Sequence, residues 1–496
     1  MNIIPQPSSL NMKDGVFKRT GLPGISGDKI FQSEIDVFTK QIQETFGDQI
    51  GTTGNGILCL KNGDIKGREA YKMVISHRGV EIQASDPAGM FHGLQTLRQL
   101  ILTGYTEKEL VLPCGEIEDA PRFEWRGFML DSSRHFYSVK TVRKFIDVLS
   151  LHHISVFHWH LTDDQGWRFP VPGYPELINI GSKRVDIRSN WGRVFEGHYT
   201  EEDIKEIVAY AAARHIEVVP EVDIPGHASA ILASYPELGC TGGPHKVRDT
   251  FGIYEDVLCA GNPIIYDFAA AVFDTLARLF PSSYVHIGGD EVKTAYWEQC
   301  PKCRKLMEES GFERAAQLQG QATVRFAQML KERGKTAIGW DEVLENTDIS
   351  SLPPELIVMS WRGREGGQTA VAKGHRVIMS PLTDGCYFDY RPCDCYEEPG
   401  QFSVTTISQA YHLDPVAEMT DAQAALVIGG QANLWSELIY ADRLAEYMIF
   451  PRICATAEAV WTKEEAKDFE SFSKRLPIHQ KRLDKLDLIQ YRGPIA

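Results

Sequence analysis

The stretch Tyr284-Val285-His286-Ile287-Gly288-Gly289-Asp290-Glu291 joins a short apolar run to two glycines and two adjacent carboxylates. An apolar run that ends in glycine predicts a buried strand leading into a loop, because glycine permits a sharp turn and the close approach of a ligand. Two neighbouring acids destabilise such a loop, since like charges repel each other and burial disfavours both. They suit catalysis, because each raises the proton affinity of the other. The alternative is a surface loop that carries Asp-Glu without a function.

Similar apolar runs recur from Trp125 onward, and amphipathic helix patterns separate most of them. The candidate strands are residues 127–130, 154–157, 216–219, 284–287, 337–339, 356–359, 376–379 and 426–428. Helix patterns include residues 139–149 and residues 200–213, the second of which opens with a Thr200/Asp203 capping pair. Eight strands that mostly alternate with helices predict an α/β fold, a (β/α)8 TIM barrel. A doubly wound sheet also fits the strand count, but no glycine-rich phosphate motif follows the first strand.

The chain before the barrel has a different pattern, which predicts a smaller α+β domain over residues 1–118 and a barrel over 119–496. Alternating apolar residues at 71–75 and 80–84 flank a turn and predict a β-hairpin. Apolar residues at helical spacing predict a helix within 88–101. Pro113 and Pro121 are predicted to bracket the loop between the two domains.

Composition limits the classes of function. The chain has 496 residues, 43% hydrophobic and 24% charged, which is ordinary for a soluble globular protein. A net charge of −15 argues against nucleic acid or an anionic membrane surface as the main partner. No run reaches the length of a membrane span, and no signal peptide opens the chain. The sequence leaves the oligomeric state open. The expected localisation is periplasmic or extracellular if a signal peptide was removed, and cytoplasmic otherwise.

The ten cysteines give a weak signal. Cys300-x-x-Cys303 has the spacing of half a zinc site, and Cys393-x-Cys395 is a second close pair. A structural zinc site needs four ligands, and neither neighbourhood offers a pair that completes one. We therefore expect unligated thiols and no metal site, with a metal or a disulfide as the alternative.

Acids, histidines and tryptophans follow most of the candidate strands, which is where barrel enzymes assemble their active sites. These residues are Asp131, Arg134, His158, Trp159, His160, Asp163, Glu221, Asp223, His227, Asp290, Glu291, Trp340, Asp341, Glu342, Trp361, Trp435 and Glu437. Such a ring is hard to explain by stability alone.

Two chemistries fit this ring. His158 and His160, with His227 and several acids, fit a metal-dependent amidohydrolase in which imidazoles and carboxylates bind zinc and activate water. The other chemistry is carbohydrate hydrolysis, in which carboxylates perform the acid step and tryptophans stack on sugar rings. Five tryptophans near predicted strand ends favour glycoside hydrolysis, since a metal hydrolase needs no such set. They are Trp159, Trp167, Trp340, Trp361 and Trp435.

Seven motifs together resemble glycoside hydrolase family 20, the β-N-acetylhexosaminidases. They are residues 126–136 (RGFMLDSSRHF), 158–168 (HWHLTDDQGWR), 223–227 (DIPGH), 286–292 (HIGGDEV), 339–343 (GWDEV), 360–363 (SWRG) and 435–437 (WSE). The resemblance covers nearly the whole chain. It implies a retaining exo-β-N-acetylhexosaminidase that removes terminal β-linked N-acetylglucosamine and uses no cofactor or metal. Whether the enzyme also accepts N-acetylgalactosamine is left open by the resemblance. The alternatives are a relative with a narrower substrate (a lacto-N-biosidase or a sulfated-sugar enzyme), a metal hydrolase, and a noncatalytic sugar-binding module.

The resemblance also implies roles for individual residues. Glu291 is expected to be the general acid/base, and Asp290 is expected to hold the acetamido N–H of the substrate. The acetamido oxygen then attacks the anomeric carbon and forms an oxazolinium ion, so that no protein nucleophile is used. Tyr387 is expected to donate its hydroxyl to that oxygen. Asp163 and His227 are expected to form a hydrogen-bonded relay to Glu291.

The remaining expected roles concern substrate binding. Trp340, Trp361 and Trp435 are expected to wall the acetamido pocket. Arg134 is expected to donate to sugar hydroxyls, with a salt bridge to Asp131 as the alternative, while the acceptors for other hydroxyls are expected to be Asp389 and Glu437. Asp341 and Glu342 are interpreted as structural acids. Residues 391–400 form a loop without a clear counterpart in the family pattern, which we expect beside the aglycone.

Overall fold

The computed structural model describes residues 1–48, 50, 58–185, 194–345, 351–394 and 400–495. Cys395, Glu397 and Glu398 of the predicted 391–400 loop lie outside the described residues. The described chain forms a sheet domain followed by a closed barrel.

The first domain packs two helices on a seven-stranded mixed sheet of order β1-β7-β4-β5-β3-β2, with β6 paired to β7. Its elements are β1 (Ser9–Thr20), β2 (Ile25–Gly27), α1 (Gln32–Phe46), β3 (Leu58–Asn62), β4 (Tyr71–Ser76), β5 (Gly79–Ala84), α2 (Pro87–Gly104), β6 (Tyr105–Thr106) and β7 (Glu109–Asp119). The predicted hairpin is confirmed as the antiparallel pair β4 and β5. The predicted helix is confirmed as α2, which starts where the Asp86 side chain accepts the Gly89 N–H.

Pro113 does not lie in an interdomain loop, so that prediction is wrong. It lies inside β7, opposite a register shift in β1 between Met12 and Val16. The shift interrupts the hydrogen-bond ladder at the position where proline has no N–H to donate. Strand β7 continues to Asp119, and only a short segment separates it from Trp125, where the first barrel strand begins.

The second part of the chain contains the following elements. The strands are β8 (Trp125–Asp131), β9 (Val156–His160), β10 (Thr162–Asp163), β11 (Gly166–Trp167), β12 (Lys183–Val185), β13 (Val194–Glu196), β14 (Glu217–Glu221), β15 (Tyr284–His286), β16 (Thr336–Trp340), β17 (Ile357–Ser360), β18 (Val377–Met379), β19 (Tyr390–Arg391), β20 (Gln401–Val404) and β21 (Val427–Leu434). The helices are α3 (Val139–Leu151), α4 (Glu176–Asn179), α5 (Glu201–Ala212), α6 (Ser229–Ser234), α7 (Ile264–Leu279), α8 (Ala295–Gln299), α9 (Pro301–Ser310), α10 (Gln317–Lys331), α11 (Glu365–Ala372), α12 (Ile407–Tyr411), α13 (Asp421–Ala424), α14 (Asp442–Ile449), α15 (Arg452–Trp461) and α16 (Phe469–Lys485). Within the described ranges, no helix has the length and apolar character needed to cross a membrane.

Eight parallel strands close into a barrel in the order β14-β15-β16-β17-β18-β21-β8-β9. Each predicted strand of this region overlaps one barrel strand, so the predicted TIM barrel preceded by a smaller domain is confirmed. The predicted capping box is also present at the start of α5, where Asp203 N–H donates to Thr200 Oγ1 at 3.1 Å. The barrel strands were predictable because they are short apolar runs buried on both faces, and the helices because their apolar residues recur with a period of 3.6.

The strand register brings the carboxyl ends of neighbouring strands to one level. Asp131 at the end of β8 pairs with His160 of β9, and His160 pairs with Glu221 of β14. Glu221 in turn pairs with His286 of β15. Four polar residues from four strands thus lie at the same height, at the end of the barrel where active sites are found.

An ionic contact joins the two domains. Asp147 of α3 accepts a 2.8 Å hydrogen bond from Arg98 of α2 and a 3.0 Å bond from Arg214, which follows α5. Gln41 of α1 also donates to Asp147 at 2.8 Å. Desolvation alone would raise the pKa of Asp147, but the two guanidinium groups outweigh it and lower the pKa to about 2. The carboxylate therefore stabilises the domain contact as long as it is ionised.

We expect Asp147→Asn to destabilise the protein by about 2 kcal/mol at neutral pH, because one pKa unit corresponds to about 1.4 kcal/mol. The folded-state pKa of about 2 lies below the ordinary value of 3.8, so this contribution is complete above about pH 5 and is lost as the pH falls toward 2. Urea unfolding at several pH values measures it, with the exposed Asp14→Asn as the control. A difference in stability that is the same at pH 7 and pH 3 would contradict this assignment.

Candidate active site

A buried polar layer lies in the barrel interior below the ends of the strands. Its centre is Glu221, whose carboxylate lies 2.5 Å from His160 Nδ1, 3.1 Å from His158 Nε2 and 3.0 Å from His286 Nδ1. Trp340 Nε1 donates to the same carboxylate at 2.9 Å. All five side chains are buried and hold one another in place, so the layer supports the loops that lie above it.

The charges in this layer are strongly coupled. Burial alone would raise the pKa of Glu221, but the three histidines, His160 first, hold it well below its ordinary value. Glu221 in turn holds the pKa of His160 well above its ordinary value in spite of burial. Burial lowers the pKa of His158 to about 4. The layer is therefore built around a carboxylate–imidazolium pair with a neutral histidine beside it.

The loop after β15 brings the two adjacent acids over this layer. Gly288 and Gly289 have φ of 67° and 92°, and a Cβ on Gly288 would lie 1.9 Å from Asp223 Oδ1. Gly289 N–H donates to that same oxygen at 3.1 Å, while its carbonyl accepts from Gln319 Nε2 at 2.7 Å. Glu291 itself has φ of 54°, which is uncommon for a residue with a side chain. The two glycines allow the sharp turn, and the hydrogen bonds fix it.

His227 links this acid pair to a second one. Its Nε2 lies 3.5 Å from Glu291 Oε2 and 3.6 Å from Asp290 Oδ2. Its Nδ1 lies 3.2 Å from Asp163 Oδ1 and 3.1 Å from Asp164 Oδ2. The structure thus brings together the three residues of the expected relay. Asp164 was missed, although it stands beside Asp163 in the 158–168 motif.

Charge also alternates along this route. Burial alone would lower the pKa of His227, but Asp163 outweighs it and holds the pKa well above its ordinary value. Arg134 and His227 overcome the effect of burial on Asp163 and lower its pKa. Burial, followed by the charge of Asp223, raises the pKa of Asp290 well above its ordinary value. Burial and the neighbouring charges therefore favour the protonated form of Asp290, next to a charged imidazole.

A cavity of about 200 Å³ opens above the acid pair. This volume is below the roughly 300–1,000 Å³ of pockets that bind drug-sized ligands. A cavity of this size suits a ligand as small as a single sugar ring. Its lining residues are Arg134, Asp290, Glu291, Trp340, Trp361, Tyr387, Asp389, Tyr390, Gln401, Phe402, Trp435 and Glu437. The side chains predicted for the acetamido wall and for the sugar hydroxyls thus share one cavity.

A larger cavity of about 700 Å³ lies at the opposite end of the barrel. It is lined by residues that begin strands, among them Trp125, Val156 and Tyr284, and by Arg68 and Glu69 of the first domain. Barrel enzymes place their chemistry at the carboxyl ends of the strands. We therefore assign the candidate active site to the smaller cavity.

Aromatic rings form much of its wall. The ring centroids of Trp340 and Trp435 are 5.8 Å apart, and Trp361 stacks on Tyr387 at 6.2 Å. Burial raises the pKa of Tyr387 well above its ordinary value, so its hydroxyl keeps its proton and can donate. The wall therefore offers apolar faces together with one hydroxyl donor.

Three carboxyl oxygens at this cavity are buried and have no hydrogen-bond partner among the described residues. They belong to Asp290 (Oδ1), Asp389 (Oδ1) and Glu437 (Oε2). An unpaired buried polar atom costs about 1–3 kcal/mol. Such atoms indicate a ligand that brings its own N–H and O–H donors into the cavity.

Arg134 has two roles in the structure. Its Nη2 lies 2.8 Å from Asp163 Oδ2 and its Nη1 lies 3.3 Å from Asp131 Oδ2, so the predicted alternative of a salt bridge is present. Its guanidinium also lies 5.0 Å from the centroid of Trp435 and lines the cavity. The ion pairs orient the guanidinium and leave it at the cavity wall.

The two acids interpreted as structural hold Trp361. The Trp361 N–H donates to Asp341 Oδ2 at 3.0 Å, and its indole N–H donates to Glu342 Oε2 at 2.9 Å. Arg362 Nε donates to Asp341 at 2.6 Å. Burial, followed by Asp290, raises the pKa of Glu342 to about 8. These contacts orient the tryptophan toward the cavity.

Two of the five predicted tryptophans do not reach the cavity. Trp159 and Trp167 are fully buried in the core between the barrel and its helices. The reason is strand periodicity, since Trp159 alternates with His158 and His160 and points to the opposite face of β9. For these two residues the prediction of a strand-end ligand contact is wrong.

Three cavity residues were missed by the sequence analysis, namely Tyr390, Gln401 and Phe402. They flank the 391–400 loop, and Phe402 leaves 85% of its surface exposed. The only signal was the loop itself, which was expected beside the aglycone.

The histidines of the amidohydrolase alternative do not converge in the described part of the chain. His158 lies with Glu221 and His286 inside the barrel, while His227 lies at its rim in separate groups with Asp163 and Asp223 and with Asp290 and Glu291. The group of His158, Glu221 and His286 is fully buried, which leaves no open position for a metal-bound water.

Comparison with known proteins gives a consistent result. The family model "Glycosyl hydrolase family 20, catalytic domain" matches residues 123–464, and "Glycosyl hydrolase family 20, domain 2" matches residues 1–120. A β-hexosaminidase of Porphyromonas gingivalis is 40% identical over all of this chain, which spans 65% of that protein's length. A β-hexosaminidase of Akkermansia muciniphila is 36% identical over 83% of each chain.

Solved structures agree with this result. The exo β-N-acetylglucosaminidase of Vibrio harveyi, solved in complex with N-acetylglucosamine, matches with a TM-score of 0.92 at 30% identity, over 99% of this chain and 78% of that one. A Streptomyces plicatus β-hexosaminidase mutant in complex with its product matches with a TM-score of 0.87 at 30% identity, over 100% of this chain and 97% of that one. From the two family models, the barrel and these likenesses, we conclude that the chain belongs to glycosyl hydrolase family 20 and is a glycosidase.

Proposed function

We propose that this glycosidase is a retaining exo-β-N-acetylhexosaminidase that removes terminal β-linked N-acetylglucosamine by substrate-assisted catalysis. The observation that carries the proposal is the pair Asp290 and Glu291, held together at one aromatic-lined cavity. N-Acetylgalactosamine is the second sugar we propose to test. We also propose the domain division at 118/119, which the family matches to residues 1–120 and 123–464 support.

The placement of the two acids favours substrate assistance. Both carboxyl groups lie within 3.6 Å of the same His227 nitrogen, so they occupy one side of the cavity. A retaining mechanism with a protein nucleophile needs two carboxyl groups that flank the bond to be broken. A pair on one side suits a different division, in which Glu291 serves the glycosidic oxygen and Asp290 serves the neighbouring acetamido group.

Substrate binding would also change the charge of Asp290. Burial holds the pKa of Asp290 well above its ordinary value, and its Oδ1 has no hydrogen-bond partner among the described residues. A substrate N–H that donates to Asp290 favours the ionised form of this acid and lowers its pKa. The ionised Asp290 would then hold the acetamido group by a charge-assisted hydrogen bond.

The two chemical steps follow from this arrangement. Glu291 gives its proton to the glycosidic oxygen while the acetamido oxygen bonds to the anomeric carbon and the aglycone leaves. Glu291 then takes a proton from water, whose oxygen attacks the same carbon and opens the oxazolinium ring. The buried Tyr387 hydroxyl donates to the acetamido oxygen and positions it. Two inversions at one carbon retain the configuration.

The remaining cavity residues hold the sugar. Trp340, Trp361 and Trp435 would enclose the acetamido methyl group and exclude water. The unpaired oxygens of Asp389 and Glu437 would accept from sugar hydroxyls, since they lack partners in the described structure. Arg134 would donate to a hydroxyl from the cavity wall.

Glu291→Gln is expected to reduce kcat about 10²- to 10⁴-fold on natural glycosides, which is the usual effect of losing a positioned general acid. The loss should be smaller for aryl glycosides whose leaving group departs without protonation. Steady-state kinetics and thermal unfolding measure both points. Glu298→Gln, an exposed acid on α8, is the matched control. Near wild-type turnover of a natural glycan by Glu291→Gln would exclude this role.

His227→Ala tests the relay through its pH dependence. The positive charge of His227 lowers the pKa of Asp290, so its removal should raise the pKa of Asp290. We expect a lower kcat and a pH–rate profile displaced to higher pH. His412→Ala, an exposed histidine, should leave the profile unchanged. If His227→Ala alters only KM and keeps the wild-type profile, His227 shapes binding and is not a relay.

The 2-acetamido group provides the most direct test. An aryl β-glucoside has no internal nucleophile and leaves the polar groups of the cavity unpaired. We expect kcat/KM at least about 10⁴-fold lower than for the 2-acetamido counterpart. A thiazoline mimic of the oxazolinium ion should bind far more tightly than the product sugar. NMR of the first product should show the β-anomer. Equal rates on the two glycosides, or an inverted product, would refute the mechanism.

A further inference from the structure

Four cysteines converge outside the candidate active site. The sulfur atoms of Cys240, Cys259, Cys300 and Cys303 all lie within 4.8 Å of one another. Three of the pairs are close: Cys240 to Cys303 at 3.8 Å, Cys259 to Cys300 at 3.7 Å and Cys259 to Cys303 at 3.6 Å. The structure thus brings to Cys300 and Cys303 a second pair of cysteines that lies outside their neighbourhood in the sequence.

The fold creates the second pair from residues that are distant in the sequence. An isolated antiparallel bridge joins Gly239 to Leu258, so the residues that follow them, Cys240 and Cys259, point to the same face of the paired segments. Cys259 N–H also donates to the Leu238 carbonyl at 2.8 Å. No local spacing reveals such a pair.

We propose that these four cysteines bind a structural Zn²⁺ ion. Tetrahedral zinc–thiolate bonds of about 2.3 Å place the sulfur atoms about 3.8 Å from one another, close to the three distances found here. Cys259 is equally near to Cys300 and Cys303, and Cys303 is also near Cys240. A set without exclusive pairs fits one shared ion better than two disulfides.

The surroundings favour thiolates bound to a cation. Gly261 N–H donates to Cys303 Sγ at 3.3 Å. A Cβ on Gly261 would lie 2.3 Å from the carbonyl carbon of Lys302, so only glycine permits this close approach. Cys300 is the N-cap of α9, where the helix dipole stabilises negative charge. A backbone N–H and a helix N-terminus both offset the charge that four thiolates bring.

The site has the closed character of a structural metal centre. Cys259, Cys300 and Cys303 are buried, and Cys240 is partly exposed. The cysteines belong to a small apolar cluster of their own that includes Trp297 and Leu318. Four protein ligands would fill the coordination sphere, so the ion would have no position for a water or a substrate.

This centre would join the two loops that carry the acid pair and its histidine. The segment between β14 and α7 contains His227 and two of the cysteines, and the segment from β15 through α9 contains Glu291 and the other two. Val292, the residue after Glu291, packs against the cysteine cluster. Trp297 Nε1 donates to the Leu258 carbonyl at 2.9 Å and adds a second link between the loops. The ion would therefore stabilise the distance between His227 and Glu291 without taking part in the reaction.

The test is the metal content of the 496-residue chain, purified from cells grown with zinc and without chelators. Elemental analysis should find about one zinc per chain, released when a mercurial reagent titrates the thiols. Cys303→Ser should lose the zinc and have a lower Tm. Cys114→Ser, a buried cysteine in β7 outside the cluster, should keep both.

A second measurement covers the case in which Cys303→Ser does not fold. Wild-type protein stripped of metal should take up Co²⁺ and show the visible absorption of tetrahedral thiolate-bound cobalt, and added Zn²⁺ should abolish it. Protein that is metal-free as purified and gives no such absorption would overturn the proposal. Iron in place of zinc, a disulfide among the four cysteines, or full zinc content in Cys303→Ser would overturn it as well. None of these readouts depends on the glycosidase activity.

Discussion

The negative charge of Glu221 inside the barrel is the constraint on which the active end of the molecule depends. A buried carboxylate is tolerated only when it is paired and hydrogen-bonded. Here histidines from β9 and β15 and a tryptophan from β16 meet that need. Each of these side chains is thereby locked in one orientation, and one of them, Trp340, is also part of the cavity wall.

From that layer, charges of alternating sign lead outward to the cavity. The His160 imidazolium contacts Asp163, and Asp163 contacts both Arg134 and His227. His227 then reaches the acid pair. Each charge stabilises the next one in surroundings of low polarity, where Coulomb interactions are stronger than in water. The pKa of Asp290 therefore depends on burial and on a network of charges that includes Glu221 in the layer below it.

The loops at the strand ends position the functional side chains around the cavity. Gly288 and Gly289 let the chain turn directly onto Asp223, and Asp341 and Glu342 fix the orientation of Trp361. The sulfur atoms of four cysteines bring together the segments that carry His227 and Glu291. Such supports suit the chemistry proposed above, in which a substrate group folds back onto the anomeric carbon, because misplacement by about 1 Å is costly.

The sequence by itself determined the barrel and its helices, through hydrophobic periodicity. The order of its motifs determined the strand ends that carry Asp290, Glu291, His227 and Arg134. Hydrophobic patterns report which residues face the core, and a barrel places the carboxyl ends of all its strands together. Side-chain direction and long-range pairing needed the tertiary structure. The sequence did not show that Trp159 points away from the barrel interior while His158 and His160 point into it, because this depends on the orientation of β9. A bridge between distant segments places Cys240 and Cys259 near Cys300 and Cys303, so no local pattern of residues predicts this cluster. Likewise, the lack of a partner for the oxygens of Asp389 and Glu437 among the described residues follows from the shape of the cavity, which no local pattern predicts.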